Sequence, residues 1–253
     1  MRKGIYLLPN LFTIANFGAG FYAVISIFDG KFIPASWAIL VAWVFDSLDG
    51  NVARLTKTTS TFGIQFDSLA DIISFGLAPS LLMYFLVLNH YGKVGILVAF
   101  IFLVAGALRL ARFNVKAAEI PGVNYFYSGL PIPAAGGILA TFVLVYSMFV
   151  QETNNRMIPI VMKNMPLLYK LVPLSMLLLS YLMVSNLRYA SFKGLKLNKR
   201  RSFRMFVFII GAGLIIWMYP ENMILLILAM YILSGVIDLL IRSYKLRKGN
   251  VRG

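Results

Sequence analysis

Long apolar stretches separated by short polar clusters set the pattern of this chain. A helix that spans a bilayer needs about 20 mostly apolar residues. Eight stretches qualify as candidates: 6–28, 33–54, 67–89, 94–113, 130–150, 167–188, 205–219 and 223–241, the seventh being short. The first starts too early and runs too long for a cleavable signal peptide, and no small-residue cleavage site follows it. No low-complexity segment or internal repeat interrupts the series. The pattern predicts an all-α, polytopic membrane helix bundle.

Composition narrows the classes. Hydrophobic residues make up 60% of the 253 and charged residues 13%, with a mean hydropathy of +0.81. A soluble domain is nearer a quarter charged, so a water-soluble enzyme and a disordered chain are excluded. With no cysteine, disulfides and thiolate metal sites are excluded too. The formal net charge of +15 raises nucleic acid as a partner, but the distribution of the charge argues for membrane topology. With the N-terminus in the cytoplasm, nineteen of the 24 Lys and Arg fall on the inner side, at 2–3, 54–57, 109–116, 188–204 and 242–252. That is the positive-inside asymmetry. It predicts both termini in the cytoplasm and a basic rim against anionic lipid headgroups, with no nucleic acid needed.

Four of the nine acidic residues fall within 26 positions: Asp46, Asp49, Asp67 and Asp71. An Asp in a membrane helix costs roughly 2.5–3.5 kcal/mol on insertion scales, so a cluster needs a compensating partner. Asp46 and Asp49 stand at i and i+3, Asp67 and Asp71 at i and i+4, so each pair shares a helix face. The connection from Leu55 to Phe66 is expected to be a 12-residue cytoplasmic link that brings the two faces together. Close carboxylates cannot all stay ionised without cations. Hard divalent ions with oxygen ligands, Mg²⁺ or Mn²⁺, suit them. Inert salt bridges to Arg54, Lys57 or Arg109 would account for one Asp more readily than for four. A cation pathway would want acids spread through the membrane depth, whereas these gather at one interface.

The residues between the acids sharpen the reading. The stretch Asp46-Ser-Leu-Asp49-Gly50-Asn-Val-Ala53-Arg54, then eight residues, then Gly63-Ile-Gln-Phe-Asp67-Ser-Leu-Ala-Asp71 resembles the signature of the CDP-alcohol phosphatidyltransferase family. All eight specified positions match. The resemblance implies a six-helix core over residues 1–190, a basic cytoplasmic loop at 191–204, and two additional transmembrane helices with a basic tail at 205–253. It implies two divalent cations held by Asp46, Asp49, Asp67 and Asp71, with Asp71 also the base that deprotonates the attacking alcohol. It places the CDP end of the donor against Asn10, Thr13, Asn16, Gly50, Ala53, Arg54, Ser60 and Gly63. Gly50 and Ala53 are small enough for a nucleotide to approach the backbone, and Gly63 is expected to give the connection a permissive dihedral. Arg54 can fork onto a phosphate. Asn10 and Thr13 have a plainer reading, as a helix cap and a hydroxyl bonded back to its own backbone.

Three further stretches resemble the phosphatidylserine synthase branch of that family: residues 71–79, 108–114 and 129–136. They imply CDP-diacylglycerol and L-serine as substrates, membrane lipids as surroundings, a homodimer, and an active site at the cytoplasmic face of the cell membrane. Arg109 and Arg112, at i and i+3, are candidates for the serine carboxylate, with Asn114 and Ser128 as weaker ones; both Arg could instead snorkel to headgroups. A sister transferase acting on glycerol phosphate or inositol is the enzyme alternative.

Overall fold

The computed structural model describes residues 7–56, 60–119, 127–152, 159–189 and 220–249. They are almost wholly helical. Helix α1 (Leu7–Phe28) turns at Asp29–Lys31 into α2 (Phe32–Thr56). The reversal needs Gly30, whose φ of +73° lies in the left-handed region. Helix α3 (Thr61–Asp71) continues through a π turn (Ile72–Leu77) into α4 (Ala78–Leu86), forming one rod. A 3-10 turn (Leu88–Tyr91) and Gly92, at φ +55°, lead into α5 (Gly92–Glu119). Helices α6 (Ile132–Glu152), α7 (Pro159–Val184) and α8 (Pro220–Gly249) follow. A two-residue antiparallel pairing, Tyr127–Ser128 with Arg188–Tyr189, ties the start of α6 to the end of α7.

Among the described residues, four segments are long and apolar enough to cross a membrane: Asn10–Phe28, Phe32–Val52, Thr61–Leu86 and Leu88–Val115. Shorter apolar helices are Ile132–Ser147, Lys170–Val184 and Pro220–Gly235. Seven of the eight expected stretches thus fall on helices; the stretch 205–219 and the loop 191–204 lie outside the described residues. The expected link from Leu55 to Phe66 is corrected. Helix α2 runs to Thr56, and α3 begins at Thr61 with Ser60 as its cap, the Ser60 hydroxyl accepting from Gly63 N at 2.9 Å. A capping hydroxyl and polar first turns extend a helix beyond its apolar stretch. Gly63 therefore sits in the first turn of α3, without a positive φ. A Cβ there would stand 3.1 Å from the Ser60 hydroxyl, so close approach accounts for the glycine.

The core is built around the π turn. Phe75, Leu82, Met83, Phe102, Ile132 and Met176 are fully buried, among alanines that let helices approach. The π turn begins seven residues before Pro79, whose ring nitrogen offers no donor, and Ala78 N–H reaches back five residues to Ile73. Its neighbours are small. A Cβ on Gly20 of α1 would lie 2.9 Å from Ser74 Cα, and one on Gly136 of α6 would lie 2.8 Å from Phe75 O. The stretches 71–79 and 129–136 therefore meet. Large apolar side chains such as Phe21, Phe100, Leu174 and Tyr181 point outward, as lipid-facing positions require.

Helix α8 lies along α6. Leu228 packs at Gly137, and Gly235 lies under the Tyr189 ring, so α8 runs antiparallel to α6 with its C-terminal half toward the paired strands.

Candidate metal and phosphoryl-transfer site

The acids converge as their spacing predicts. Helices α2 and α3 run antiparallel, and Phe17 of α1 stacks on Phe66 of α3 at 6.3 Å, while Phe62 stacks on Phe66 within α3 at 5.9 Å, each pair with planes 10° apart. Phe66 immediately precedes Asp67. Asp46, Asp49 and Asp67 each present a carboxylate oxygen, and these oxygens lie within 4.8 Å of one another. Asp71 stands one turn further along α3. It lies outside that trio, and its Oδ1 accepts from Asn16 Nδ2 at 3.2 Å.

Burial makes the cluster costly unless something compensates it. Asp49 is 5% exposed and Asp71 6%. Asp67 Oδ1 is buried without a hydrogen-bond partner. Three close carboxylates with an orphaned oxygen form a donor set of all-oxygen ligands, which fits a hard divalent cation. Buried carboxylates at this range and without a cation would repel one another.

Side chains predicted to touch the donor divide into two groups. Asn10 faces the first turn of α3, where a Cβ on Gly63 would stand 3.6 Å from its Oδ1. Helix α1 begins three residues earlier, so Asn10 is inside the helix and does not cap it. Gly50 has no protein atom within 4 Å of where a Cβ would project, leaving open space beside the acids. Ala53 and Arg54 lie on the last turns of α2. Ser60 has its hydroxyl engaged as the α3 cap. Thr13 and Asn16 face the acids instead: Thr13 Oγ1 donates to Asp49 Oδ2 at 2.9 Å, and Asn16 bonds Asp71.

The two arginines of α5 point to different places. Arg109 is buried, 7% exposed, and its charge acts on Asp46. Arg112 donates to Asn186 Oδ1, just beyond α7, at 3.1 Å. Asn114 donates to Ser68 Oγ at 2.9 Å and to Gln65 Oε1 at 3.3 Å, bridging α5 to the outer face of α3. Ser128 pairs through its backbone with Arg188. Sequence reasoning missed Asn186, Gln65 and Ser68. Asn186 carries no local signal. The other two occupy unspecified positions of the signature.

Comparison with known proteins agrees with this geometry. A family model of CDP-alcohol phosphatidyltransferases matches residues 6–168. A Helicobacter pylori (strain ATCC 700392 / 26695) protein named CDP-diacylglycerol–serine O-phosphatidyltransferase is 36% identical over 243 residues, 96% of this chain and 94% of that one. A Bacillus subtilis (strain 168) protein of the same name is 32% identical over 186 residues, 74% of this chain and 91% of that one. An archaetidylserine synthase from Methanothermobacter thermautotrophicus is 39% identical over 139 residues, 54% of this chain and 58% of that one. With the signature acids gathered on α2 and α3, and with similarity running nearly end to end, the chain belongs to the CDP-alcohol phosphatidyltransferase family.

Proposed function

We propose that this chain transfers the phosphatidyl group of CDP-diacylglycerol to the hydroxyl of L-serine, giving phosphatidylserine and CMP. The observation that carries the reaction type is the trio Asp46, Asp49 and Asp67 with Asp71 beside it. The choice of serine rests on the relatives named for it, which match most of the chain.

Asp46, Asp49, Asp67 and the outer oxygen of Asp71 would hold two divalent cations, Mg²⁺ or Mn²⁺. When bound, these supply Lewis-acid polarisation of the phosphorus under attack and charge stabilisation of the departing phosphate. The chain's own residues do the rest. Asp71 takes the proton of the serine hydroxyl as its oxygen forms a bond to the phosphorus that carries diacylglycerol. The bond from that phosphorus to the CMP oxygen breaks in line, and CMP leaves with the electron pair. Asn10, Gly50, Ala53, Arg54, Ser60 and Gly63 cradle the CDP end, with open space at Gly50 admitting it and Arg54 forking onto phosphate. Arg109 and Arg112 serve the acceptor end. Positioning supplies much of the acceleration.

The residues divide into the core at 1–190, the loop at 191–204 and an appended pair of spans at 205–253. The protein sits in the cell membrane as a homodimer, with its site and both termini at the cytoplasmic face.

The test is CMP release by purified protein given CDP-diacylglycerol with serine, glycerol phosphate or inositol in turn. Release with serine, stopped by EDTA and restored by Mg²⁺ or Mn²⁺, is expected. Release only with another alcohol would assign a sister activity, and indifference to chelator would remove the metal site.

A further inference from the structure

We infer that α1 is a brace for the metal-site carboxylates, and that Thr13 and Asn16 are positioning residues that orient Asp49 and Asp71. The inference rests on the metal-dependent reading above.

Thr13, Asn16 and Gly20 stand at i, i+3 and i+7, on one face of α1. Each meets a different part of the site. Thr13 is 4% exposed, and its single hydroxyl proton goes to Asp49 Oδ2 at 2.9 Å. Asn16 is fully buried; its amide donates to Asp71 Oδ1 at 3.2 Å, and its backbone carbonyl accepts from Ser74 Oγ at 3.0 Å. Gly20 lets Ser74 come against the helix, since a Cβ there would stand 2.9 Å from Ser74 Cα. The π turn is thereby pinned to α1, and Asn16 is held at the depth of Asp71.

Each contact goes to one oxygen of its carboxylate, Oδ2 of Asp49 and Oδ1 of Asp71. Groups that hydrogen-bond a metal ligand fix its orientation, and losing one typically costs about 10–100-fold in metal affinity or activity. The two acids come from different helices, α2 and α3, and α1 reaches both. The brace therefore sets the relation between a metal ligand and the base as well as the angle of each.

The experiment uses purified full-length protein stripped of divalent ions. Mn²⁺ binding is read by electron paramagnetic resonance, and turnover is measured separately. Thr13→Val keeps the shape and loses the proton; it should weaken Mn²⁺ binding by about 10–100-fold. Thr13→Ser restores the hydroxyl and should bind close to wild type. Asn16→Leu should lower kcat by about 10–100-fold while the KM for CDP-diacylglycerol stays unchanged. Equal Mn²⁺ binding by wild type and Thr13→Val would overturn the brace. So would a raised KM for CDP-diacylglycerol with kcat intact in Asn16→Leu, which would make Asn16 a donor contact. Should Asn16→Leu fail to fold, the Val and Ser pair at position 13 still decides. If wild type itself binds no Mn²⁺, the metal reading fails first, and the brace falls with it.

Discussion

Asn16 fixes Asp71 through one carboxylate oxygen, the orientation a general base needs. Replacing Asp71 with Asn keeps the shape and removes the proton acceptor. Asp71→Asn is expected to lower turnover by about 10²–10⁴-fold, with unchanged protein in the membrane and an unchanged melting temperature in detergent. Retained turnover would take Asp71 out of that role. The four acids were legible because charge in an apolar stretch is expensive and their spacing fixes shared faces. Which polar residues of α1 meet them was not. Thr13 and Asn16 are as compatible with a nucleotide as with a carboxylate until the packing of α1 against α2 and α3 is known. The Arg112–Asn186 bond joins residues 74 apart, and nothing in either local sequence marks it.

At the scale of elements, apolar stretches located the helices but not their ends. Helix α3 starts six residues before its expected position because Ser60 caps it, and hydropathy is blind to a cap. The π turn was equally hidden, since it shifts hydrogen bonds without changing composition. Such turns often mark functional sites, and this one separates the acid-bearing half of the rod from its buried half. Removing Ile73 should let the rod close into a regular α-helix and lose the wide turn that Ser74 pins to α1. The variant is expected to keep its helicity by circular dichroism and to release no CMP; normal CMP release would show that the site does not depend on the wide turn. A second prediction concerns the docking of α8. The Tyr189 ring is wholly buried, 5.5 Å from Tyr231, with an unpartnered hydroxyl. An orphaned buried polar group costs about 1–3 kcal/mol, so Tyr189→Phe should melt at or above wild type at pH 8. Burial pushes the Tyr189 phenol up to about 12, from an ordinary value of about 10. Folding favours its neutral form, so its contribution is whole below the ordinary value and is lost as pH rises toward the folded one. The melting gap between Tyr189→Phe and wild type should therefore widen from pH 8 to pH 11; a constant gap would mean that the phenol is solvated.

For the molecule as a whole, the series of apolar stretches made the helical bundle legible. Less legible was how the far parts of the sequence close the site. The end of α7 reaches α5 through Asn186 and the start of α6 through a strand pairing, and α8 covers Tyr189. These contacts depend on packing between segments with similar apolar surfaces, which hydropathy cannot tell apart. The acids, the C-terminal end of α5, the start of α6 and the end of α7 all lie at one end of the bundle. Chemistry confined to one end makes the enzyme vectorial in its supply: a water-soluble acceptor serves it from a single compartment. In sealed vesicles with that end facing the lumen, serine added outside should yield CMP only after permeabilisation. In vesicles of opposite sidedness the same serine should be used at once, and equal rates in both would mean the acceptor has a path through the bundle.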